Sequence, residues 1–350
     1  MRVPAEEELE FGKTVRELLV QHNAVATTRR HADDADWNRG LWNELRSLGV
    51  TELVADREYG ALAEVAEALG AYPATVPVLA SAVLVPALLQ SLDADAIDDD
   101  RIRAIGTFDG YGRLGVTALE ITGAGHVIGA VPLALQAAWA DELVVAVPHN
   151  GTIALLLVDL SGAAVAVRPR TSLDVTTPFA DVTLDGARAK VLATTTTDKF
   201  YAAIDGVEAI GSLWLGAGEV GTAQRLLDLA VAYALDRVQF GMPIGARQAI
   251  KHKCADMLMQ IESARSALWA AASTLFDAAD SREELAVLRL ASDRAADFAA
   301  QQSFQIHGGI GFTWEHDLHF LFKRAMASRG LLGGPAHQRS ILDSLLLEGA

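Results

Sequence analysis

Gln305-Ile306-His307-Gly308-Gly309-Ile310-Gly311-Phe312 closes the run Ala295–Phe304, which is helix-patterned and apolar on one face. Two adjacent glycines at a helix end let a flat or phosphorylated ligand approach free backbone N–H groups. Upstream, Arg237-Val238-Gln239-Phe240-Gly241-Met242-Pro243-Ile244 follows another helical run, Leu226–Leu235. Each segment also has a plain structural reading. The first would be a glycine C-cap without a ligand, and Arg237 would complement a helix dipole. The functional reading places Arg237 and Gln248, on either side of Pro243, at one helix–loop–helix corner. There a guanidinium can hold a pyrophosphate bidentately, and an amide can read a ribose or an adenine edge. His307 has no serine, cysteine or metal-ligand partner at useful spacing, so it is read as a loop or backbone-capping residue rather than a base.

Composition sets the outer limits. The 350 residues, 51% hydrophobic, allow two or three domains with sizeable cores. A net charge of −16 argues against a nucleic-acid partner, although a few arginines and helix ends can still make a local anion site. The longest apolar stretches, such as Ala80–Leu89, contain a proline or are too short for a membrane span. A glutamate cluster occupies Met1–Glu10, where a signal peptide would be basic and then apolar, so a cytoplasmic protein is expected. The single cysteine, Cys254, excludes an intrachain disulfide and a cysteine-based metal cluster. It lies in a helical pattern and reads as a buried, inert thiol. No metal site is expected.

Three blocks follow along the chain, giving an α+β fold. Residues 1–105 show helical periodicity and form an N-terminal helical domain, with Pro73 and Pro77 starting a new element. Residues 106–195 change to short Val/Thr/Ile/Leu bursts bounded by Gly, Asp and Asn, which reads as a small antiparallel β middle domain. Asn150-Gly151 between two of these bursts predicts a hairpin. Residues 196–350 return to long helices: near Asp205 to Arg237, Ala246 to Asp280, one starting after Ser281-Arg-Glu-Glu284, and others around His316–Ala327 and Pro335–Leu347. The Ser281 segment has capping-box spacing. Short connections predict an antiparallel four-helix bundle. No dinucleotide-binding fingerprint is present.

Tyr233-Ala-Leu-Asp-Arg237-x-x-Phe240-Gly241-x-Pro-Ile, Gln248 and Gln305-x-x-Gly-Gly-x-Gly-Phe together resemble the C-terminal bundle of the acyl-CoA dehydrogenases. Trp42…Leu48-Gly-Val and Glu58-Tyr59-Gly60 resemble that family's N-terminal helical domain. The resemblance spans essentially the whole chain and is most specific at the C-terminal end. It implies FAD at a subunit interface, with Arg237, Phe240, Gln248, Gln305, Gly308 and Gly309 on its diphosphate and adenosine. It also implies α,β-dehydrogenation of an acyl-CoA substrate, a glutamate base, and an electron-transfer flavoprotein or equivalent acceptor.

Three family features are missing. The C-terminal turn that carries a glutamate in many members reads Leu331-Leu-Gly-Gly-Pro-Ala-His-Gln338. The alternative helix position falls near Gly211, with Glu208 about one helical turn away and Glu219 two turns further on. Residues 106–117 depart from the family's flavin-ring loop, and Ala130-Val131-Pro132 stands where a ring-packing Trp-x-Thr is expected. The half of the site that reaches a neighbour is kept, while the half that holds the ring and the base is eroded. This pattern resembles the non-catalytic subunit of actinobacterial α2β2 acyl-CoA dehydrogenases, some of which act on steroid side-chain CoA thioesters. That implies a paralogous partner subunit supplying the glutamate. The alternatives are a self-sufficient homo-oligomer using Glu208 as a displaced base, and a flavin-free structural relative.

Overall fold

The computed structural model describes residues 3–32, 36–94, 100–106, 108, 112–123, 125–277 and 280–348. They form two compact units: Met1–Ala26 with Tyr59–Ala74 and Ser212–Ala350, and Thr27–Glu58 with Thr75–Gly211. The helices of the expected N-terminal domain are thus divided between the two units.

In the first unit, α1 (Glu6–Gln21) and α4 (Tyr59–Ala71) join the C-terminal helices. Those are the second part of α6 (Thr197–Asp236), α7 (Gln248–Phe276), α8 (Arg282–His307), α9 (Leu318–Ser328) and α10 (Pro335–Glu348). Helices α6 to α9 share one core, as the expected bundle. Val220, Leu226 and Ala230 of α6 meet Met257 and Ile261 of α7, Leu318 and Leu321 of α9, and the alanine stripe Ala295, Ala296, Ala299 and Ala300 of α8. Small side chains on α8 let the backbones approach closely, which holds the helix end at Gln305 against the bundle.

Helix α4 is buried from Tyr59 to Gly70. Its two inner carboxylates are therefore paired, Glu64 with Arg16 at 3.1 Å and Glu67 with Arg265. Glycine lets α4 cross α6: a Cβ on Gly221 would lie 1.9 Å from the Glu67 carbonyl oxygen.

The second unit holds α2 (Ala24–His31), α3 (Arg39–Ser47), a π-helix (Leu79–Leu84), α5 (Val85–Ser91) and a seven-stranded sheet. Its strands are β1 (Arg103–Ile105), β2 (Glu120–Ile121), β3 (His126–Leu135), β4 (Glu142–His149), β5 (Thr152–Asp159), β6 (Val165–Pro169) and β7 (Phe179–Thr195), in the order β2-β3-β1-β4-β5-β7-β6. A further β3–β7 pairing closes β3, β1, β4, β5 and β7 into a ring. The predicted hairpin forms: Asn150 (φ 49°) and Gly151 (φ 78°) link β4 to β5, with His149 opposite Thr152. Positive φ at both central residues is what a two-residue hairpin turn needs.

Four expectations are corrected. The sheet is not wholly antiparallel, because β1 runs parallel to β4. A closed ring of five strands cannot alternate direction all the way round, so one neighbouring pair must be parallel. Helix α6 starts at Thr197 rather than near Asp205. Phe200 and Ile204 are buried there, but Gly206 interrupts the helical pattern in the sequence. Helix α7 spans Gln248–Phe276, shorter at both ends than Ala246 to Asp280. Pro243 is followed first by a 3-10 turn, Ile244–Ala246. Finally, Ser281 makes no side-chain cap. Its backbone (φ −103°, ψ 7°) is not extended as a capping residue's would be, and the Asp280 carboxylate accepts the Arg282 N–H instead, at 3.2 Å.

Candidate functional site

Helix α8 ends where the sequence places its glycines. Gly308 (φ 63°) caps it by donating its N–H to the Phe304 carbonyl, and a 3-10 turn continues through Phe312. Gln305, Gly308 and Gly309 line one groove of about 720 Å³, together with Phe304, Phe312 and Phe322. The Phe304 ring sits 4.9 Å from Phe312 and 5.4 Å, edge-on, from Phe322, forming an aromatic wall. A Cβ on Gly308 or on Gly309 would meet nothing within 4 Å. Both glycines therefore face open space that a side chain would fill. The aromatic wall was not found from sequence; its only signal is the phenylalanine recurrence at 304, 312 and 322.

His307 is buried beside this groove. Its Nδ1 donates to the Ser303 carbonyl at 2.8 Å, and its ring stacks on Tyr233 with centroids 4.5 Å apart. Because a carbonyl only accepts, the bond fixes the neutral tautomer with its proton on Nδ1. Burial holds its pKa below the ordinary histidine value, opposed by the Ser303 bond and aided by nearby His316. The imidazole is a packed strut. It also couples the two motif segments, since Tyr233 precedes Arg237 by one turn.

Arg237 follows α6, and its carbonyl accepts the Ile244 N–H at 2.9 Å, closing a small hairpin of β8 (Val238–Gln239) and β9 (Met242–Pro243). Phe240 (φ 53°) and Gly241 (φ 79°) make its turn. The Phe240 ring is 88% exposed, with the Arg247 guanidinium 5.1 Å from its centroid. Arg237 and Gln248 are exposed at the two ends of this connection. The structure thus brings Gln305, Gly308 and Gly309 together in the groove, and leaves Arg237, Phe240 and Gln248 on an outward-facing corner that does not line it. An open glycine cradle, an aromatic wall, a free amide and exposed arginines fit the adenosine diphosphate end of a dinucleotide.

The carboxylates near the expected base position are both committed. In the second unit, Glu208 accepts from Arg113 Nη2 at 2.7 Å, Arg113 Nε at 3.2 Å and the Leu114 N–H at 2.9 Å. In the first unit, buried Glu219 pairs with Arg289 at 3.1 Å and accepts from Ser292 at 2.5 Å and Ser328 at 2.9 Å. Arg289 also donates to the Ser328 and Leu331 carbonyls, so it ties down the Leu331–Gly334 turn. Glu208 is thereby a loop clamp in this structure. Among the described residues, no group of three His, Cys, Asp or Glu side chains could hold a metal ion. No helix there is long and apolar enough to cross a membrane.

A profile described as "Acyl-CoA dehydrogenase, C-terminal domain" matches residues 209–346. The curated protein Acyl-CoA dehydrogenase IpdE2 of Mycobacterium tuberculosis is 32% identical over 354 residues, covering 99% of each chain. This chain belongs to the acyl-CoA dehydrogenase family. Two solved structures share its fold. A chain of the ChsE4-ChsE5 complex from Mycobacterium tuberculosis aligns at a TM-score of 0.82 and 23% identity over 99% of both chains. A chain of a steroid ACAD variant aligns at 0.82 and 22% over the same shares.

Within the family frame, the ring-side departures have a local form. Where Trp-x-Thr is expected, β3 carries a register shift between Val131 and Ala134, with Leu133 at φ 54°. A proline and a bulge replace a regular strand that could present an aromatic ring. In the 106–117 segment, residues 107 and 109–111 lie outside the described residues. The remainder is anchored, with Thr117 Oγ1 donating to the Gly106 carbonyl at 2.8 Å.

Proposed function

We propose that this chain is the FAD-sharing subunit of a heteromeric, cytoplasmic acyl-CoA dehydrogenase whose catalytic glutamate comes from a paralogous partner chain. The observation that carries this reading is the contrast between an open glycine groove and two carboxylates already consumed by arginines. Bound FAD would supply the electron acceptor for α,β-dehydrogenation of an acyl-CoA thioester. Gln305, Gly308 and Gly309 would line the adenosine end, and Arg237, Phe240 and Gln248 would reach outward from the hairpin corner toward a neighbour. Arg237 would neutralise phosphate charge through paired N–H donors.

Removing an α-proton needs a carboxylate with a free lone pair within hydrogen-bond reach. Glu208 spends its oxygens on Arg113 and Leu114, and the Leu331–Gly334 turn offers no acid. The ChsE4-ChsE5 complex, which shares this fold, supports a two-chain assembly, and the steroid ACAD supports a steroid-linked CoA thioester as substrate. Electrons would leave to an electron-transfer flavoprotein or an equivalent acceptor.

The test is the absorption spectrum and acyl-CoA turnover of the purified chain, alone and co-expressed with a paralogous subunit. Flavin bands and turnover are expected in the co-expressed complex. Turnover by this chain alone would establish the self-sufficient reading, and a complex without flavin bands would establish the structural one.

A further inference from the structure

The second unit holds a cavity of about 220 Å³ that shares no lining residue with the glycine groove. His31, at the end of α2, and Asp36, before α3, line it on one side. Arg170 and Ser172 line it from the β6–β7 connection, with Trp139 and Pro178 as apolar lining.

Opposite charges therefore share this cavity without pairing with each other. Asp36 uses Oδ1 to accept the Trp37 N–H at 2.8 Å and Arg39 Nη1 at 3.0 Å. Arg170 gives its Nε to Asp181 at 2.8 Å. Among the described residues, Asp36 Oδ2 and the terminal nitrogens of Arg170 make no hydrogen bond. The bonds from the Trp37 N–H and then from Arg39 hold the Asp36 carboxyl below the usual carboxylate range, so it is charged at neutral pH. His31 is fixed through Nδ1, 3.0 Å from Thr75 Oγ1, and its Nε2 stands 3.9 Å from Asp36 Oδ2, too far for a hydrogen bond.

The wall carrying Arg170 is built in advance. The Asp174 carboxylate accepts the Thr176 N–H at 2.9 Å and the Thr176 hydroxyl at 2.7 Å. Ser172 Oγ accepts the Phe179 N–H at 3.2 Å, and the Arg170 N–H donates to the Phe179 carbonyl at 2.8 Å. A loop held this way loses little freedom when a ligand arrives.

We infer that this cavity binds a small zwitterion of the α-amino-acid class with an apolar side chain. A simple anion would meet Asp36, and a simple cation would meet Arg170. A zwitterion satisfies both, its carboxylate on the terminal N–H groups of Arg170 and its ammonium on Asp36 Oδ2. The Ser172 hydroxyl has its proton left for the same carboxylate, and the ligand's apolar body packs on Trp139 and Pro178. The volume, that of about seven water molecules, matches one free amino acid. This site lies within the second unit and needs neither flavin nor a partner chain.

The test is isothermal titration calorimetry on the full chain, with circular dichroism of every variant recorded in parallel. L-leucine is the probe. Its two truncated analogues are 4-methylpentanoate, which lacks the ammonium, and 3-methylbutylamine, which lacks the carboxylate. Leucine should bind saturably at one site, and each analogue at least about ten-fold more weakly. Arg170→Gln and Asp36→Asn should each weaken leucine by about ten-fold or more with unchanged circular dichroism. No saturable heat with leucine up to about 10 mM would overturn the proposal. Either analogue binding as tightly as leucine would overturn it too, because the site would then read one charge only. So would leucine binding that both variants leave unchanged. The analogue series on the wild type decides the matter even if a variant fails to fold.

Discussion

Two glycine-rich turns end helices in the same unit, and they differ in what surrounds them. After α8, Gly308 and Gly309 face open space, with Gln305 and an aromatic wall around them. After α9, Leu331, Leu332 and Gly333 are buried, and a Cβ on Gly333 would lie 2.4 Å from His337 Cδ2. Arg289, itself held by Glu219, binds carbonyls of this second turn from below. One turn is open and lined by a groove, and the other is packed and tied. Both turns use a positive-φ glycine, Gly308 (63°) and Gly333 (77°), but only the first leaves room around it.

The largest expected effect lies under the packed turn. Arg289→Ala would strand the Glu219 carboxylate in the core, and removing one partner of a buried pair costs about 3–5 kcal/mol. Chemical denaturation should show a loss of that order. A loss under about 1 kcal/mol would mean the turn is not held from below.

The open turn should behave oppositely. Gly309 is not among the positive-φ residues and has room for a side chain, so Gly309→Val should keep its unfolding midpoint while losing most of the bound flavin. A variant that keeps full flavin and activity would reduce this turn to a cap. Next, Arg237→Ala should weaken FAD retention in the assembled complex about ten- to hundred-fold, from charge-assisted hydrogen bonds of roughly 1.5–3 kcal/mol. Unchanged flavin after dialysis would contradict it.

The smallest effect concerns His307. Its folded pKa is depressed by burial, so the stability it contributes is present above its ordinary pKa and is lost as pH falls through the folded value. Denaturation midpoints of the wild type should therefore drop more steeply below about pH 6.5 than those of His307→Asn. Parallel curves would show that His307 is not held neutral.

Much of this was legible locally. The Asn150-Gly151 hairpin, the α8 glycine end and the late helices follow from residue types acting on their own neighbours. The uses of Glu208 and Glu219 were not. Their partners Arg113 and Arg289 stand 95 and 70 residues away, and no periodicity announces such a pairing. The parallel β1–β4 pair was hidden for a related reason: it follows from ring closure, a property of the whole sheet rather than of any strand. Ser281 failed as a cap although its spacing was right, because Asp280 supplies the oxygen first.

The central claim is that this chain grips the cofactor and leaves the base to its partner. Turnover of the co-expressed complex carrying Glu208→Gln tests it most directly. Glutamine keeps an oxygen for the Leu114 N–H, so the account predicts a rate within about two-fold of wild type, while removing the partner chain's glutamate abolishes turnover. A loss of several orders of magnitude on Glu208→Gln would contradict the claim and make Glu208 the base.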